Sequence, residues 1–250
     1  MIFMKLTLAE PRLLKEPISI LADLVNDVQF KIDKEKLEIV ATDPANVVLA
    51  VFKLLGSAFI EYDVEEKETI CVSLDNLNQI LRRLKGNDTL TLELDKKRNK
   101  LKIGMSGDSQ RLFNLSLIDI EEKEQQIPEL EFKSKVVTNS KMLEDAIEDV
   151  GIVAESVSLG LNKDGMTIRG EGNLSNAHIE FSKGEDTEIQ TESNVSAKYS
   201  IEYLKKLIKG GKLSDKVVMS WNSDYPLKLE YNVLDKLALS FILAPRISED

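Results

Sequence analysis

The feature that most constrains this chain is that it repeats itself. At an offset of 127 residues, SLDNLNQILRRLKGNDTLTL from Ser73 lies over SIEYLKKLIKGGKLSDKVVM from Ser200, pairing Leu77 with Leu204, Ile80 with Leu207, Leu81 with Ile208 and Asp88 with Asp215. A second segment, DKEKLEI from Asp33, lies over NKDGMTI from Asn162. Two matches in the same order point to an internal duplication, with two unrelated α+β domains as the competing reading. Under duplication, whatever fold one half adopts has to work twice in one chain.

The halves meet at LIDIEEKEQQIPELEF, Leu117 to Phe132. Asp119, Glu121, Glu122, Glu124, Glu129 and Glu131 stand there against a single base, Lys123, with Pro128 near the end. Such a segment neither buries a helix face nor alternates as a strand, so it reads as a solvated connector. The expected organisation is an N-terminal domain over residues 1–117, a connector over 118–132 and a C-terminal domain over 133–250. A chain of 250 residues is long enough to give each half its own core.

Periodicity predicts the elements. Ile2 to Leu8 alternates as an edge strand, and Leu13, Leu14, Ile18, Leu21, Leu24 and Val25 recur at helical spacing, with Pro17 expected to start or kink that helix. Strands are expected at Val28 to Ile32, Leu37 to Ala41, Val47 to Leu54, Ile70 to Val72, Thr89 to Leu94, Leu101 to Met105 and Arg111 to Leu117. Ser73 reads as the N-cap of a second helix that Gly86-Asn87-Asp88 stops. Past the connector the order recurs: a strand from Lys133 to Thr138, Ser140 as an N-cap, a helix through Val150, strands about the Lys163-Asp164-Gly165 turn, a strand from Ala177 to Ser182, and a fourth helix after Ser200. The fold class is α+β, two similar domains each with antiparallel strands and two helices on one face.

Composition removes several functions. With 30% charged and 42% apolar residues the chain is globular, and no run of about twenty apolar residues could span a bilayer. MIFMKLTLAEP lacks an apolar run ending in a small-residue cleavage site, so no export signal is expected, and a single cysteine, Cys71, fits a reducing compartment. The four Asn-X-Ser/Thr matches then carry no meaning. His178 is the only histidine and sits in a strand-like stretch beside no nucleophile motif, and one His with one Cys cannot make a zinc site. Gly211-Lys212 lacks the flanking residues of a phosphate-cradling loop, Gly170-Glu171-Gly172 opens no helix, and no carboxylate pair stands out. The chain reads as a non-enzyme that needs no cofactor and no metal.

Net charge is −10, which by itself argues against nucleic acid, because non-specific affinity comes from Lys and Arg replacing counterions on phosphates. Distribution argues the other way. Opposite its apolar stripe the second helix carries Arg82 and Arg83, and the fourth carries Lys205, Lys206 and Lys209 beside Glu202, with Arg12 and Lys15 near the start of the first. Either these are solubilising residues or they form a phosphate-facing surface, and their recurrence at matched sites brings the second level with the first. The third helix dissents, with Glu144, Asp145, Glu148 and Asp149.

At this point LADLVNDVQFKI, TDPANVVL, NKDG followed by GEGNLSNAHIEFS, the connector itself, YPLKLEY and the terminal LAPRISED together resemble the archaeal and eukaryotic sliding clamps, the proliferating cell nuclear antigen family, over essentially the whole length. The resemblance implies a duplicated DNA-clamp fold and a ring of three subunits, homotrimer or heterotrimer, whose helices line a hole for double-stranded DNA held without regard to sequence. It implies a processivity factor tethering DNA polymerase, nuclease and ligase through a short peptide motif, opened and closed by a clamp loader. It places the peptide pocket at Val40, Asn46, Val47, Ile127, Pro128, Pro226, Ile242, Leu243, Ala244 and Pro245, and the subunit interface at Arg111, Phe113 and Leu115 and at Ala177, Ile179 and Phe181. It implies an intracellular protein, cytoplasmic or at the nucleoid in an archaeon and nuclear in a eukaryote. Glu148 and Glu202 depart from positions where basic residues often occur, and Pro17 is unusual. A protein-interaction scaffold that never encircles DNA is the alternative.

Overall fold

The structure is a computed structural model that describes residues 4–119 and 125–247. Ile2, the connector residues Glu121, Glu122, Lys123 and Glu124, and Ser248, Glu249 and Asp250 lie outside the described residues. Two compact units are present, one comprising Met1–Thr42, Ala50–Gln125 and Val233–Leu239, the other Asp43–Leu49, Gln126–Asn232 and Ser240–Asp250. Each unit therefore borrows a short segment from the far side of the connector.

The element order of the first half is β1 (Met4–Leu8), α1 (Arg12–Ala22), β2 (Asp27–Ile32), β3 (Lys36–Thr42), β4 (Val48–Leu55), β5 (Glu61–Val64), β6 (Glu68–Ser73), α2 (Leu74–Leu81), β7 (Thr89–Asp95), β8 (Lys100–Ser106) and β9 (Gln110–Ser116). The second half repeats it: β10 (Ser134–Asn139), α3 (Ser140–Val153), β11 (Ser156–Leu161), β12 (Gly165–Glu171), β13 (Asn176–Ser182), β14 (Thr187–Thr191), β15 (Val195–Ser200), α4 (Ile201–Leu207), β16 (Lys216–Ser220), β17 (Leu227–Val233) and β18 (Leu237–Leu243). Strand order repeats as well. The hydrogen-bonded series β5-β1-β7-β8-β9 has its counterpart in β14-β10-β16-β17-β18, and β4-β3-β2-β6 in β13-β12-β11-β15.

Alternation builds the cores. On β3, Leu37, Ile39 and Ala41 are buried while their neighbours are half-exposed, and on β8 Leu101, Ile103 and Met105 are buried in the same way. Helix α1 buries Leu13, Leu14, Pro17, Ile18 and Leu21 and packs on α2, and α3 packs on α4 and over β12 and β13. The fully buried Trp221, Tyr199 and Tyr231 weight the second core toward aromatics, with Tyr231 edge-on to Phe241 at 6.5 Å.

Several expectations change. Strand β1 is interior, paired with both β5 and β7, because Glu61–Val64 forms a strand that its charged alternation, EYDV, conceals. Of the two alternatives for Pro17, starting the helix is overturned: α1 begins at Arg12, and Pro17 lies buried inside it. The third helix is capped by Asn139, whose side chain accepts from Lys141 N (2.8 Å) and Met142 N (3.3 Å), while the Ser140 hydroxyl donates to Ser214 O at 2.7 Å. Ser73 and Ser200 hold the N-cap position without a side-chain cap bond, and Arg82 is the C-cap of a helix that ends at Leu81.

Backbone approach sets which glycines matter. A Cβ at Gly210 would lie 2.4 Å from two Tyr231 ring carbons, whereas at Gly86 and Gly184 it would meet open space. Gly210→Ala is expected to lower stability by about 1–3 kcal/mol, and Gly86→Ala and Gly184→Ala to stay within about 0.5 kcal/mol, as read by urea denaturation.

Candidate functional site

In the first unit the packing of α1 on α2 gathers the expected basic residues at one end of the pair. Arg82 and Arg83, just past the last turn of α2, are exposed and make no ion pair with a described residue. Arg12 is exposed at the first turn of α1, 3.8 Å from Glu10, and Lys15 is half-exposed. A cleft of about 300 Å³ runs between Pro11, Arg12 and Lys15 on one side and Leu84, Lys85 and Gly86 on the other.

In the second unit the acidic third helix lies against the basic fourth, and the two signs meet. Lys205 Nζ is 3.2 Å from Glu148 and Lys206 Nζ is 3.5 Å from Glu202, with Lys206 also 5.3 Å from the centre of the Tyr203 ring. Lys209 is exposed. Lys141 holds Glu144 at 3.2 Å and Asp145 at 2.9 Å. These pairs are solvated, so each contributes about 0–1 kcal/mol and its lysine can change partner at little cost. The acidity of α3 is therefore compensated locally, which its sequence does not reveal.

The residues expected to form a peptide pocket are surface residues of the second unit with two exceptions. Asn46, Ile127 and Pro128 are exposed, and Val47, Pro226, Ile242, Ala244 and Pro245 are half-exposed. Leu243 is fully buried, because alternation on β18 turns it inward, and it offers backbone only. Val40 is a half-exposed residue of the first unit, on β3. Ala244 N–H donates to Val47 O at 2.9 Å, and Arg246 N–H to Lys198 O at 2.7 Å, so backbone bonds fix the tail through Arg246. Tyr225, preceding Pro226, stands edge-on to Phe132 at 5.8 Å, and its carbonyl accepts the Tyr199 hydroxyl at 2.7 Å.

Sequence reading passed over the residue that organises this loop. The buried carboxylate of Asp43 accepts from Ala45 N (3.1 Å), Val47 N (2.7 Å) and Val48 N (2.6 Å), and from the Tyr203 hydroxyl of α4 at 2.8 Å. It also steadies Asn46 in the left-handed region at φ 56°. Burial pushes the Asp43 carboxyl up, and the bonds from Val48 N, the Tyr203 hydroxyl, Val47 N and Ala45 N together outweigh it and hold it below the ordinary 3.8. Tyr203 is pushed up to about 12, by burial first and then by its bond to Asp43. The Asp43-Pro44 dipeptide carried the available signal for a side-chain-closed turn; the partner on α4, 160 residues away, did not.

The two strands expected to join subunits are both sheet edges, β9 beyond β8 and β13 beyond β12. They share one exposure pattern: Arg111, Phe113, Ala177 and Ile179 are half-exposed, and Leu115 and Phe181 are buried at the same position near the strand's end. The Arg111 guanidinium is already engaged, donating to Arg83 O at 2.7 Å and to Asp88.

Asp43→Ala is expected to cost about 1–3 kcal/mol, since it strands three backbone donors and a phenol. A depressed folded-state pKa stabilises fully above the unfolded value, so the gap between parent and variant should be complete near neutrality and close as pH falls below 3.8. Thermal midpoints measured across that range test it.

Comparison with known proteins agrees with this architecture. The family description "Proliferating cell nuclear antigen, N-terminal domain" matches residues 3–126, and its C-terminal counterpart matches residues 126–246. A DNA polymerase sliding clamp of Nanoarchaeum equitans is 37% identical over 247 residues, covering 97% of this chain and 99% of that protein. One from Thermococcus gammatolerans is 35% identical, covering 93% and 94%. Among solved structures, the PCNA of Thermococcus kodakaraensis superimposes with a TM-score of 0.91 at 27% identity over 97% of this chain and 100% of that one. The Proliferating Cellular Nuclear Antigen of Entamoeba histolytica, 23% identical, shares the fold with a TM-score of 0.93 over 99% and 100%. With both halves of the duplicated fold matched end to end, the chain belongs to the proliferating cell nuclear antigen family.

Proposed function

We propose that this chain is a DNA sliding clamp, a processivity factor that closes into a ring around duplex DNA and tethers replication and repair enzymes. The observation that carries the reading is a vacancy in a repeated pattern. By position in their series, β18 is the counterpart of β9 and β4 the counterpart of β13. Strands β18 and β4 run beside each other: Ala244 bonds Val47 in the second unit, and Leu55 N–H donates to Lys236 O at 2.9 Å in the first. Edges β9 and β13 have no such neighbour among the described residues, and both are seven residues long. A second copy supplies the missing strand to each, head to tail, and a heterologous contact of this kind closes into a ring or runs on as a filament. The family resemblance favours a ring of three.

A ring holds DNA by topology, so its inner surface needs only weak, mobile contacts to phosphate, and such contacts read no sequence. Arg12, Lys15, Arg82, Arg83, Lys205, Lys206 and Lys209 suit that role, and the exposed pairs of Lys205 and Lys206 exchange readily for phosphate. The loop closed by Asp43, the exposed Ile127 and Pro128, and the half-exposed Ile242, Ala244 and Pro245 supply apolar anchoring and free backbone for a short peptide from a polymerase, nuclease, ligase or loader. None of this asks the chain itself for catalysis. No helix among the described residues is long and apolar enough to cross a membrane.

Solution mass tests the ring. An oligomer of three times 28.1 kDa is expected, and Ile179→Asp should reduce it to monomer with unchanged circular dichroism, by placing a charge on the joining strand. A monomeric parent that requires no sister subunit would favour a scaffold that never encircles DNA. Replacing Arg82, Arg83, Lys205, Lys206 and Lys209 together by Ala should leave the mass unchanged and weaken clamp-stimulated synthesis. Undiminished stimulation at physiological salt would remove these side chains from the DNA face.

A further inference from the structure

The sheet β13-β12-β11-β15 has two faces. One, bearing Val157, Leu159, Met166, Ile168 and Ala197, is buried beneath α3 and α4. The other is a polar trough of about 450 Å³ lined by Ser158, Gly160, Thr167, Arg169, Ser196 and Lys198. Register orders these side chains in rows: Arg169, Ser158 and Lys198 lie side by side on β12, β11 and β15, and Thr167, Gly160 and Ser196 form the next row. Neither Arg169 nor Lys198 makes an ion pair with a described residue, so the two cations flank a hydroxyl about 10 Å apart at Cα, close enough for their long side chains to converge.

The duplication supplies an internal control. In the equivalent sheet of the first unit Gln29 pairs with Cys71 where Ser158 pairs with Lys198, and Lys31, flanked by Glu38 and Thr69, stands where Gly160 is flanked by Thr167 and Ser196. There Glu38 is neutralised by Lys36 at 2.9 Å and Lys53 at 3.5 Å. The second unit thus lacks the long side chains that fill this face in the first and carries two cations with no ion-pair partner among the described residues, on an otherwise acidic protein. Core packing does not require that difference, since the residues concerned point away from the core. Recognition of an anion accounts for both halves of it.

We propose that this trough is a docking site for an extended acidic peptide of a partner protein, one carboxylate seated over the Ser158 hydroxyl between Arg169 and Lys198. Charge selects a peptide over a nucleic acid. Glu171 lines the trough, and Glu180 borders Thr167 on β13 and is held by His178 at 2.6 Å. These carboxylates repel a continuous run of phosphates and leave room for one or two isolated acids. Hydroxyls of Ser158, Thr167 and Ser196 provide donors and acceptors for the peptide backbone beside the charge.

The test uses the full chain and a fluorescein-labelled peptide with one isolated acid, Gly-Ser-Thr-Asp-Ser-Thr-Gly, against its Asn analogue, read by anisotropy at low salt. The acidic peptide should bind at least about tenfold more tightly than the amide analogue, as charge-assisted bonds demand. Arg169→Ala with Lys198→Ala should abolish that preference, and Ser158→Gln, which installs the first unit's side chain without changing charge, should weaken binding while the thermal midpoint stays put. Equal affinity for the two peptides, no saturable binding, or binding indifferent to the double variant would overturn the proposal. Tighter binding of a single-stranded oligonucleotide through Arg169 and Lys198 would overturn it in favour of nucleic acid.

Discussion

Antiparallel backbone pairing is the interaction on which everything else in this protein depends. A strand left at the end of a sheet carries unpaired N–H and C=O groups, and a duplicated chain creates such ends in duplicate. Here the counterparts β4 and β18 come together within the chain, and the remaining two edges, β9 and β13, are left carrying Phe113 and Ile179 half in solvent. A fold that satisfies one pair of edges internally leaves its twin pair open, and it is this open pair that the proposed ring would use.

Electrostatics is layered on that frame locally rather than globally. A net charge of −10 coexists with arginines at the end of α2 and lysines along α4 because acid and base are sorted by element and then paired across neighbours, as Lys205 with Glu148. Exposed pairs of this sort lose little when a phosphate replaces the carboxylate, so a basic surface can be neutral when empty and still accept phosphate, which is what the proposed DNA-facing role asks of it.

Much of this was legible in the sequence, for identifiable reasons. Repetition exposed the duplicated α+β architecture, since Leu77, Ile80 and Leu81 keep their spacing in Leu204, Leu207 and Ile208, and alternation exposed strands with one buried face, such as β3 and β8. Strands whose alternating residues are charged, such as Glu61–Val64, stayed hidden, and so did the interior place of β1 that this strand creates. Caps were misread where two polar residues adjoin, as at Asn139 and Ser140, because only geometry says which side chain turns back on the helix. At the candidate site the apolar surface positions carried family signal, whereas the bond between Asp43 and Tyr203 joins residues too far apart in sequence for any local pattern to mark. The buried Leu243 shows the converse: a motif marks a segment, and strand alternation then decides which of its residues faces out.

The borrowed segments have a consequence in time. The first unit includes Val233–Leu239, so most of its strands leave the ribosome long before the last piece of its sheet does. A unit completed by residues nearly two hundred positions downstream of β4 carries a large loop-closure cost and cannot finish folding as an early, autonomous domain. Premature termination anywhere ahead of Val233 would thus leave both units incomplete, even though the edge strands β9 and β13 had already been made.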